Sequence, residues 1–374
     1  MSNSSFQKVP RYFQSLILLG AIIYPFANSD AAKFSNEVER DFPIRSIGRL
    51  QLTNVKGDIS VQSWAMDKIR IKITKEAFAE TSDKANTLFE GIDYRYSSSA
   101  GGIEFSSQYG KNLSIEERVQ QKLNPKVRMD LAVLAPAYLN LKIWSAGGRV
   151  FIKNWNGFTD IRANDGLLQV EGMNAEKLTI QCTSCNADLK DIHSSIRYLG
   201  GGGKVSLERA KGKTIYVETS SGAQILSHIQ GNQLYVSKNG PIAGKFLKGK
   251  VEFHSQDAAI HLQEVSGFLS GTADTGSVTA SIRDWDASDQ ALIETIRGHI
   301  SILFPADLSV DADIWSVGGV TVLDYPLVPS QELQKVGVLR SEPLNHRVGR
   351  IGEGGELLRV FSEHGDVSVL KRKF

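Results

Sequence analysis

The chain has 374 residues with a formal net charge of +2, 41% hydrophobic residues and 8% aromatic residues. That composition fits a chain that buries a core, and its interspersed charges leave no continuous basic segment that would indicate nucleic-acid binding. Length alone allows two or three domains, unless the chain is built from repeats.

Residues 1–31 have the features of a secretory signal peptide. Lys8 and Arg11 supply a positive start, an apolar run of 12 residues covers 15–26, and small residues follow at 27–32, as in cleavable signals. The alternative is an uncleaved membrane anchor, but spanning a bilayer takes about 20 apolar residues. Cleavage after Ser29 or Ala31 predicts an exported protein, periplasmic or at the cell surface, with no integral membrane segment after cleavage.

The N-terminal part after the signal divides into two segments. Residues 32–47 form a partly exposed lead-in, and residues 48–145 hold N-terminal β-strands. Within the second segment, Ala85, Leu88, Phe89 and Ile92 recur at helical spacing, which predicts one capping helix over 76–92. Residues 93–125 form an irregular insertion, with a strand near 103–105 and a short helix near 115–123.

Residues 146–324 form a β-strand repeat region, because turn residues return at steps of 18 or 19. A second series lies half a step away, so a turn comes about every nine residues and leaves strands of five or six. Such a period redefines the whole fold. The first column consists of Gly148, Gly166, Cys185, Gly203, Gly222, Gly240, Ala258 and Gly276, and the second of Gly157, Asn174, Ser194, Gly212, Gly231, Gly249 and Gly267.

The turn glycines predict backbone with positive φ, for which Asn, as at Asn174 and Asn186, is the usual substitute. Between turns apolar residues alternate with polar ones, as at Val205 and Leu207, which indicates strands with one buried face. Turns this close leave no room for crossover helices, so a doubly wound α/β fold is excluded. The sequence predicts an all-β β-solenoid with coils of about 18 residues and two strands per coil. An antiparallel sandwich or meander is the alternative.

The end of the chain is less regular. Residues 325–350 contain three prolines and no periodicity, which predicts a long surface loop. Residues 351–374 return to alternating strands and predict a closing coil. The sequence leaves open the pairing direction of the strands and the oligomeric state.

Cys182 and Cys185 form a Cys-x-x-Cys pair on a turn. Redox pairs of this kind lie at a helix start, which the repeat pattern does not predict here. A structural zinc site takes four ligands, and His193 is the nearest further candidate ligand. Two interpretations remain. The cysteines are small residues filling turn and core positions, or they form a local disulfide in an oxidising compartment.

Other polar groups form no convincing catalytic or metal site. Asp284, Asp286 and Asp289, like Asp307, Asp311 and Asp313, lack the spacing of a calcium loop, and a solvated acidic turn is the simpler interpretation. Glycoside hydrolysis needs two facing carboxylates, and the candidates are scattered: Asp165, Glu171, Asp188, Asp191 and Glu208. No nucleophile motif contains the serines Ser184, Ser195, Ser220 and Ser221, and no helix follows the glycine run of 200–203 to hold a phosphate. The tryptophans could stack on sugars or cap the ends of strands: Trp144, Trp155, Trp285 and Trp315.

The order of the motifs resembles the bacterial DUF4097 family of adhesin-type β-strand-repeat proteins. The resemblance rests on 48–64, 135–139 leading to Gly148, the repeats, and 354–355 leading to 365–367, and it extends over about residues 45–372. It implies an exported or envelope-associated, solenoid-like protein without an established reaction.

We therefore expect a non-enzymatic, adhesin-like scaffold without a cofactor or metal. Its partner is unknown, with a glycan or an envelope protein as candidates and nucleic acid excluded. The alternatives are a carbohydrate-active lyase or hydrolase on the same scaffold, and an envelope-stress signalling partner.

Overall fold

The computed structural model describes residues 31–44, 48–99, 102–110, 126–286, 288–329 and 345–373. They form 24 strands and one helix, α1 (Ser82–Glu90). The strands are β1 Ala32–Pro43, β2 Arg49–Asn54, β3 Ile59–Ser63, β4 Lys68–Ala79, β5 Ile92–Ser99, β6 Gly102–Tyr109, β7 Val127–Ala135, β8 Asn140–Ser145, β9 Arg149–Trp155, β10 Thr159–Ala163, β11 Leu167–Cys182, β12 Asn186–Gly200, β13 Val205–Thr219, β14 Gln224–Ser237, β15 Ile242–Asp257, β16 Ile260–Thr275, β17 Val278–Trp285, β18 Ala291–Arg297, β19 Ile300–Phe304, β20 Val310–Ser316, β21 Thr321–Leu323, β22 His346–Ile351, β23 Leu357–His364 and β24 Val367–Lys371. The predicted signal peptide and the short helix near 115–123 lie outside the described residues, apart from residue 31.

Strands of the repeat region pair in parallel. Leu168 pairs with Ala187, and Ala187 with Val205, so equivalent residues 18 or 19 apart lie side by side. Each strand from β11 to β16 bends in its middle, and we call the part before the bend the first arm and the part after it the second arm. First arms pair with first arms and second arms with second arms. The all-β prediction is confirmed, and an antiparallel meander does not describe this region.

The core lies between the two arms. In β13, Val205 and Leu207 from the first arm and Ile215 and Val217 from the second are all at most 1% exposed. Their alternation along the strand is what places them on one face. Burying each such side chain stabilises the fold by about 1.5–3 kcal/mol, and the same pattern recurs in every long strand.

The predicted strands of five or six residues are too short for β11 to β16, which have 14–16 residues. At each bend one residue adopts the left-handed conformation, and the chain continues to hydrogen-bond to its neighbours on both sides of it. This bend therefore turns the strand without ending it. The bend residues have φ between 53° and 67° and are Asn154 (in β9), Gly172, Asp191, Arg209, His228, Phe246 and Glu264.

The two glycine columns occupy different kinds of bend. The first column lies between strands, whereas Gly212, Gly231, Gly249 and Gly267 of the second lie inside the long strands, a few residues past the left-handed residue. Positive φ does not explain every position, and Asn174 and Asn186 do not adopt it. At Gly222 the reason is close approach, because an added Cβ would lie 1.7 Å from the carbonyl oxygen of Gly203 in the preceding coil.

Gly172 is the one glycine among the left-handed bend residues, so its backbone conformation predicts that stability depends on which residue replaces it. Its φ is +67°, and an added Cβ would lie 2.6 Å from Asn154 Oδ1. We expect Gly172→Ile to lower the free energy of unfolding by about 1–3 kcal/mol, since β-branched residues avoid this conformation. Gly172→Asn, which tolerates it, should cost less than about 1 kcal/mol. Denaturant unfolding followed by circular dichroism measures both, and equal losses would contradict the role assigned to the bend.

At the N-terminal end the coils are not stacked in chain order. β2 lies between β6 and β8, and β3 lies between β7 and β9. The predicted lead-in is instead mostly strand β1, paired antiparallel with β4 along its whole length. The predicted irregular insertion begins as an antiparallel hairpin of β5 and β6. β1, β2 and β3 are placed by long-range pairing that periodicity does not encode, whereas β5 and β6 are neighbours in the chain.

The predicted helix exists but is shorter than 76–92. It begins after the N-cap Thr81, whose hydroxyl accepts from Lys84 N, and ends at Gly91. Residues 76–79 belong instead to β4, because that strand pairs with β1 on one side and with β7 on the other. The helix buries Ala85 and packs Leu88 and Phe89 against the core.

The C-terminal end repeats the out-of-order stacking. β23 lies between β18 and β20, and β24 lies between β19 and β21. The predicted closing coil is therefore an internal one. β22 pairs antiparallel with β20, so the predicted loop of 325–350 is wrong at 346–350; residues 330–344 lie outside the described part of the chain.

Candidate binding surface

The outer end of the first arms carries an alternating ladder of charges. Lys153, Glu171, Lys190 and Glu208 lie side by side on successive coils. Lys153 Nζ lies 3.7 Å from Glu171 Oε2, and Lys190 Nζ lies 3.9 Å from Glu208 Oε2. Opposite charges facing each other across parallel strands favour this register. Two of the carboxylates considered for hydrolysis thus belong to inter-coil ion pairs.

Asp191 is held in a similar way at the neighbouring bend. Arg209 donates to its two carboxylate oxygens at 2.6 and 3.0 Å, and this hydrogen bonding lowers the pKa of Asp191 below its usual value. Arg209 also contacts Glu208. Asp165 and Asp188 are exposed. Asp165 lies in a turn, Asp191 lies at a bend, and the other three lie on the first arms, so the five carboxylates are spread over the outside of the coils.

A column of buried hydroxyl groups closes the turns between coils. Thr219 Oγ1 donates to the carbonyl of Gly222 at 2.8 Å, and Ser255 Oγ donates to that of Ala258 at 3.0 Å. Cys182 occupies the same place in its coil, with Sγ 3.1 Å from the carbonyl oxygen of Cys185. Both cysteines are buried. The pair therefore fills the turn and core positions that Ser or Thr and Gly fill elsewhere.

The local disulfide stays a prediction that the geometry permits. The Cα atoms of Cys182 and Cys185 lie 5.7 Å apart, within the range that disulfides span. We expect the double substitution C182S/C185G, which copies Ser237 and Gly240 of a later coil, to keep the fold and lower the free energy of unfolding by at most about 2 kcal/mol, since the closed loop is short. Maleimide labelling of the denatured, unreduced protein should modify neither cysteine. Labelling of both, with no shift on reduction, would contradict the bond.

The two acidic clusters do not converge on one point. Asp284 accepts from Ser266 Oγ and Arg283 Nε, while Asp289 accepts from Lys250 Nζ. Asp311 faces Arg350 Nε at 3.5 Å, and Asp307 is exposed. Within the described residues, no group of three or more His, Cys, Asp or Glu side chains is arranged to hold a metal ion.

Asp313 lies in a compact cluster on the outer face near the C-terminal end. His346 Nε2 lies 2.8 Å from its Oδ1, and Arg359 Nε lies 3.1 Å from its Oδ2. Trp315 stacks on Phe361 with ring centroids 4.6 Å apart. Sequence reasoning missed this cluster because β22 and β23 bring its members together over long range.

The four tryptophans considered as sugar-stacking surfaces, out of five in the chain, have four different environments. Trp155 is fully buried and donates from Nε1 to the carbonyl of Leu139. Trp285 packs between Phe268 and Phe304. Trp144 is 37% exposed on the outer face of β8, and Trp315 lies in the Asp313 cluster. They form no continuous platform for sugar rings.

The outer face of the second arms has a shallow depression of about 420 Å³. It lies where Gly200 and Gly201 leave a gap between Thr183 and Ser220. Arg197 and Glu218 line it; the Arg197 guanidinium lies 5.4 Å from the centre of the Tyr216 ring, and Tyr216 donates to Glu218 at 2.6 Å. Burial raises the pKa of Tyr216 to about 12, and the hydrogen bond to Glu218 is the second cause of this shift. With one carboxylate in its lining, the depression offers polar contacts without the acid pair that glycoside hydrolysis uses.

The serines considered as nucleophiles lie in turns or at a bend. Ser184, Ser220 and Ser221 are exposed in the turns, and Ser195 lies at the bend of β12. The glycine run of 200–203 forms the end of β12 and the next turn, and Gly203 adopts a φ of +83°. Of the predicted turn glycines, Gly148, Gly166 and Gly276 also have positive φ, whereas Gly222 and Gly240 do not.

Two comparisons with known proteins give matches. The family model Toastrack DUF4097 matches residues 140–312. A crystal structure described as a "putative cell adhesion protein" from Clostridium sporogenes is similar, with 10% identity, 91% of this chain and 100% of that chain covered, and a TM-score of 0.23. At that TM-score the similarity carries no argument about this chain.

A search of curated proteins gives no match. Within the described part of the chain, no helix has both the length and the apolar character needed to cross a membrane. The segment that the family model matches contains the strands that pair in parallel as stacked coils. Residues 140–312 match the Toastrack DUF4097 model, which confirms the resemblance to the DUF4097 family.

Proposed function

We propose that this chain is an exported, non-enzymatic adhesin-like protein of the bacterial envelope, whose outer faces bind glycans or proteins. We further infer that its scaffold is a solenoid with a repeating unit of about 18 residues, in which each long strand supplies the two arms of a coil. The observation that supports binding is the in-register outer surface. Exposed side chains of equivalent residues lie side by side on successive coils, as the ladder from Lys153 to Glu208 does.

A surface of this kind suits multivalent binding. Parallel coils repeat the same chemistry about every 4.8 Å, so a polymeric ligand meets several equivalent groups at once. Many weak contacts then combine into useful avidity. Catalysis, in contrast, needs convergent groups in a closed site, and the polar groups described above are spread along the surface. We therefore propose binding without turnover, in the periplasm or at the cell surface.

Cell fractionation with mass spectrometry of the mature N-terminus tests export. We expect the full-length gene product to be found outside the cytoplasm and to begin at Asp30 or Ala32. Recovery in the cytoplasm with Met1 or residues 2–10 still attached would contradict export.

Binding is tested with the purified mature protein against immobilised envelope polysaccharides and envelope proteins. We expect retention without release of new reducing ends or unsaturated sugars. Release of either product would favour the carbohydrate-active alternative. Failure to bind any of these surfaces would contradict the adhesin-like function.

A further inference from the structure

Long side chains with hydrogen-bonding or cationic groups line up along one corner of four consecutive coils. His193 of β12 pairs with Lys211 of β13, Lys211 with Gln230 of β14, and Gln230 with Lys248 of β15. All four are exposed. They lie just past the left-handed bends, on the corner between the two arms. We call this row, with the bend segments that carry it, the corner stripe.

The corner stripe is strongly basic although the chain as a whole is almost neutral. Its segments, 190–195, 208–214, 227–232 and 245–250, hold seven cations and two acids, a net charge of +5. The cations are Lys190, Arg209, Lys211, Lys213, Lys245, Lys248 and Lys250, and the acids are Asp191 and Glu208. The turns at the other corner of the same coils, 201–204, 220–223, 238–241 and 256–259, hold two lysines and one aspartate, a net charge of +1.

Not every cation of the stripe is available to a ligand. Arg209 and Lys190 contact the two acids, and Lys250 contacts Glu252 and Asp289. Lys245 Nζ lies 4.8 Å from the centre of the Phe246 ring.

The centre of the stripe keeps cations that could receive anions. Within the described residues, no ion pair forms at Lys211, Lys213 or Lys248. Asp284 at the C-terminal end of the row also interacts electrostatically with Lys248, but its pKa is lowered chiefly by hydrogen bonds from Arg283 and Ser266. Lys211, Lys213 and Lys248 thus form a positive centre whose charges are not cancelled by a direct ion pair within the described residues.

We propose that the corner stripe binds a linear anionic polysaccharide, which rests on the proposed function and names its ligand class. Lys211 and Lys248 are two coils apart, so their backbones are separated by about 10 Å. A chain carrying a carboxylate on every sugar presents anions along one line, as the stripe presents cations. Gln230 between the two lysines, and His193 beside Lys211, offer hydrogen bonds to sugar hydroxyl groups.

Single-stranded nucleic acid fits this surface less well. Proteins that bind it combine cations with exposed aromatic rings on which bases stack. The stripe has one phenyl ring, Phe246, and the His228 ring packs against it with a tilt of 35° and 4.6 Å between ring centroids. Lys245 lies over the same ring. An anionic polymer without stacking bases therefore matches the available groups better.

The test compares two double substitutions with the same change of charge. K211Q/K248Q removes cations from the stripe, and K204Q/K238Q removes the two exposed lysines of the other corner. Biolayer interferometry with immobilised polygalacturonate, neutral dextran and oligo-dT measures binding of the mature protein. We expect K211Q/K248Q to weaken polygalacturonate binding about tenfold, since two exposed charge contacts contribute about 1–2 kcal/mol together. K204Q/K238Q should bind like the wild type, and added NaCl should weaken binding.

Four outcomes would overturn the proposal: no polygalacturonate binding by the wild type, equal binding by K211Q/K248Q, an equal loss in both variants, or tighter binding of oligo-dT. Unchanged melting curves of both variants confirm that folding is not the cause of any loss. If the wild type binds dextran or an envelope protein but not polygalacturonate, the stripe proposal fails while the adhesin-like function stands. A cytoplasmic location without binding to any of these surfaces contradicts the proposed function itself.

Discussion

Deletion of residues 357–374 is expected to destabilise the C-terminal end far more than loss of a terminal coil normally would. β23 and β24 lie between other strands, so their removal takes a pairing partner from β18, β19, β20 and β21 together. It also removes four side chains that are fully buried: Leu358, Val360, Val367 and Val369. At about 1.5–3 kcal/mol each, the loss exceeds about 5 kcal/mol. We expect residues 291–329 to become sensitive to protease.

Deletion of β1, residues 32–43, is the matched control. β1 is also a terminal strand, but it pairs with β4 alone among the described strands, and most of its residues are exposed. We expect a clearly smaller loss, without protease cleavage in the repeat region. Leu358→Ala gives a milder form of the main experiment, with an expected cost of about 2–5 kcal/mol. Equal melting temperatures for the two deletions would contradict the stacking order.

Gly222→Ala is expected to cost about 3 kcal/mol or more. The added Cβ would lie 1.7 Å from the carbonyl oxygen of Gly203, and both atoms belong to backbone that cannot move without opening the pairing between coils. Overpacking of this kind destabilises by about 1–3 kcal/mol even where side chains can adjust. Thermal and denaturant unfolding followed by circular dichroism measure the loss.

Gly147→Ala is the control, because Gly147 lies in an equivalent turn with nothing within 4 Å of an added Cβ and without a left-handed φ. We expect no loss, or a gain of up to about 1 kcal/mol from a less flexible unfolded chain. If both substitutions cost the same, close contact between coils is not what requires glycine at Gly222.

The periodic turns and alternating apolar residues predicted the strands of the repeat region well, because both signals lie within a single coil. Each coil contains its own alternation of apolar residues and its own turn, so Val205 and Leu207 indicate a buried strand face without knowledge of any neighbour. The left-handed bends were harder to predict. Arg209, His228, Phe246 and Glu264 carry no mark of that conformation, since packing between coils imposes it on ordinary residues.

The candidate surface was predicted less well than the fold. Carboxylates such as Glu171 and Glu208 look scattered along the sequence, and only the register places each beside a lysine of the adjacent coil. The Asp313 cluster depends on β22 and β23, whose positions follow from the out-of-order stacking. The Cys182–Cys185 pair, in contrast, lies within one turn, and its place in the column of hydroxyl groups follows from the repeat itself.

The sequence by itself determined that the repeat region consists of strands with one buried face between regularly spaced turns, because alternation and turn chemistry act over a few residues. Only the tertiary structure decided which coils are neighbours at the two ends, since pairing of β2 with β6 and β8, or of β23 with β18 and β20, depends on contacts far apart in the chain. The tertiary structure also brings the residues of the corner stripe together. Lys211 and Lys248 are 37 positions apart in the sequence, and they become near neighbours because stacking reduces each coil to about 4.8 Å along the axis.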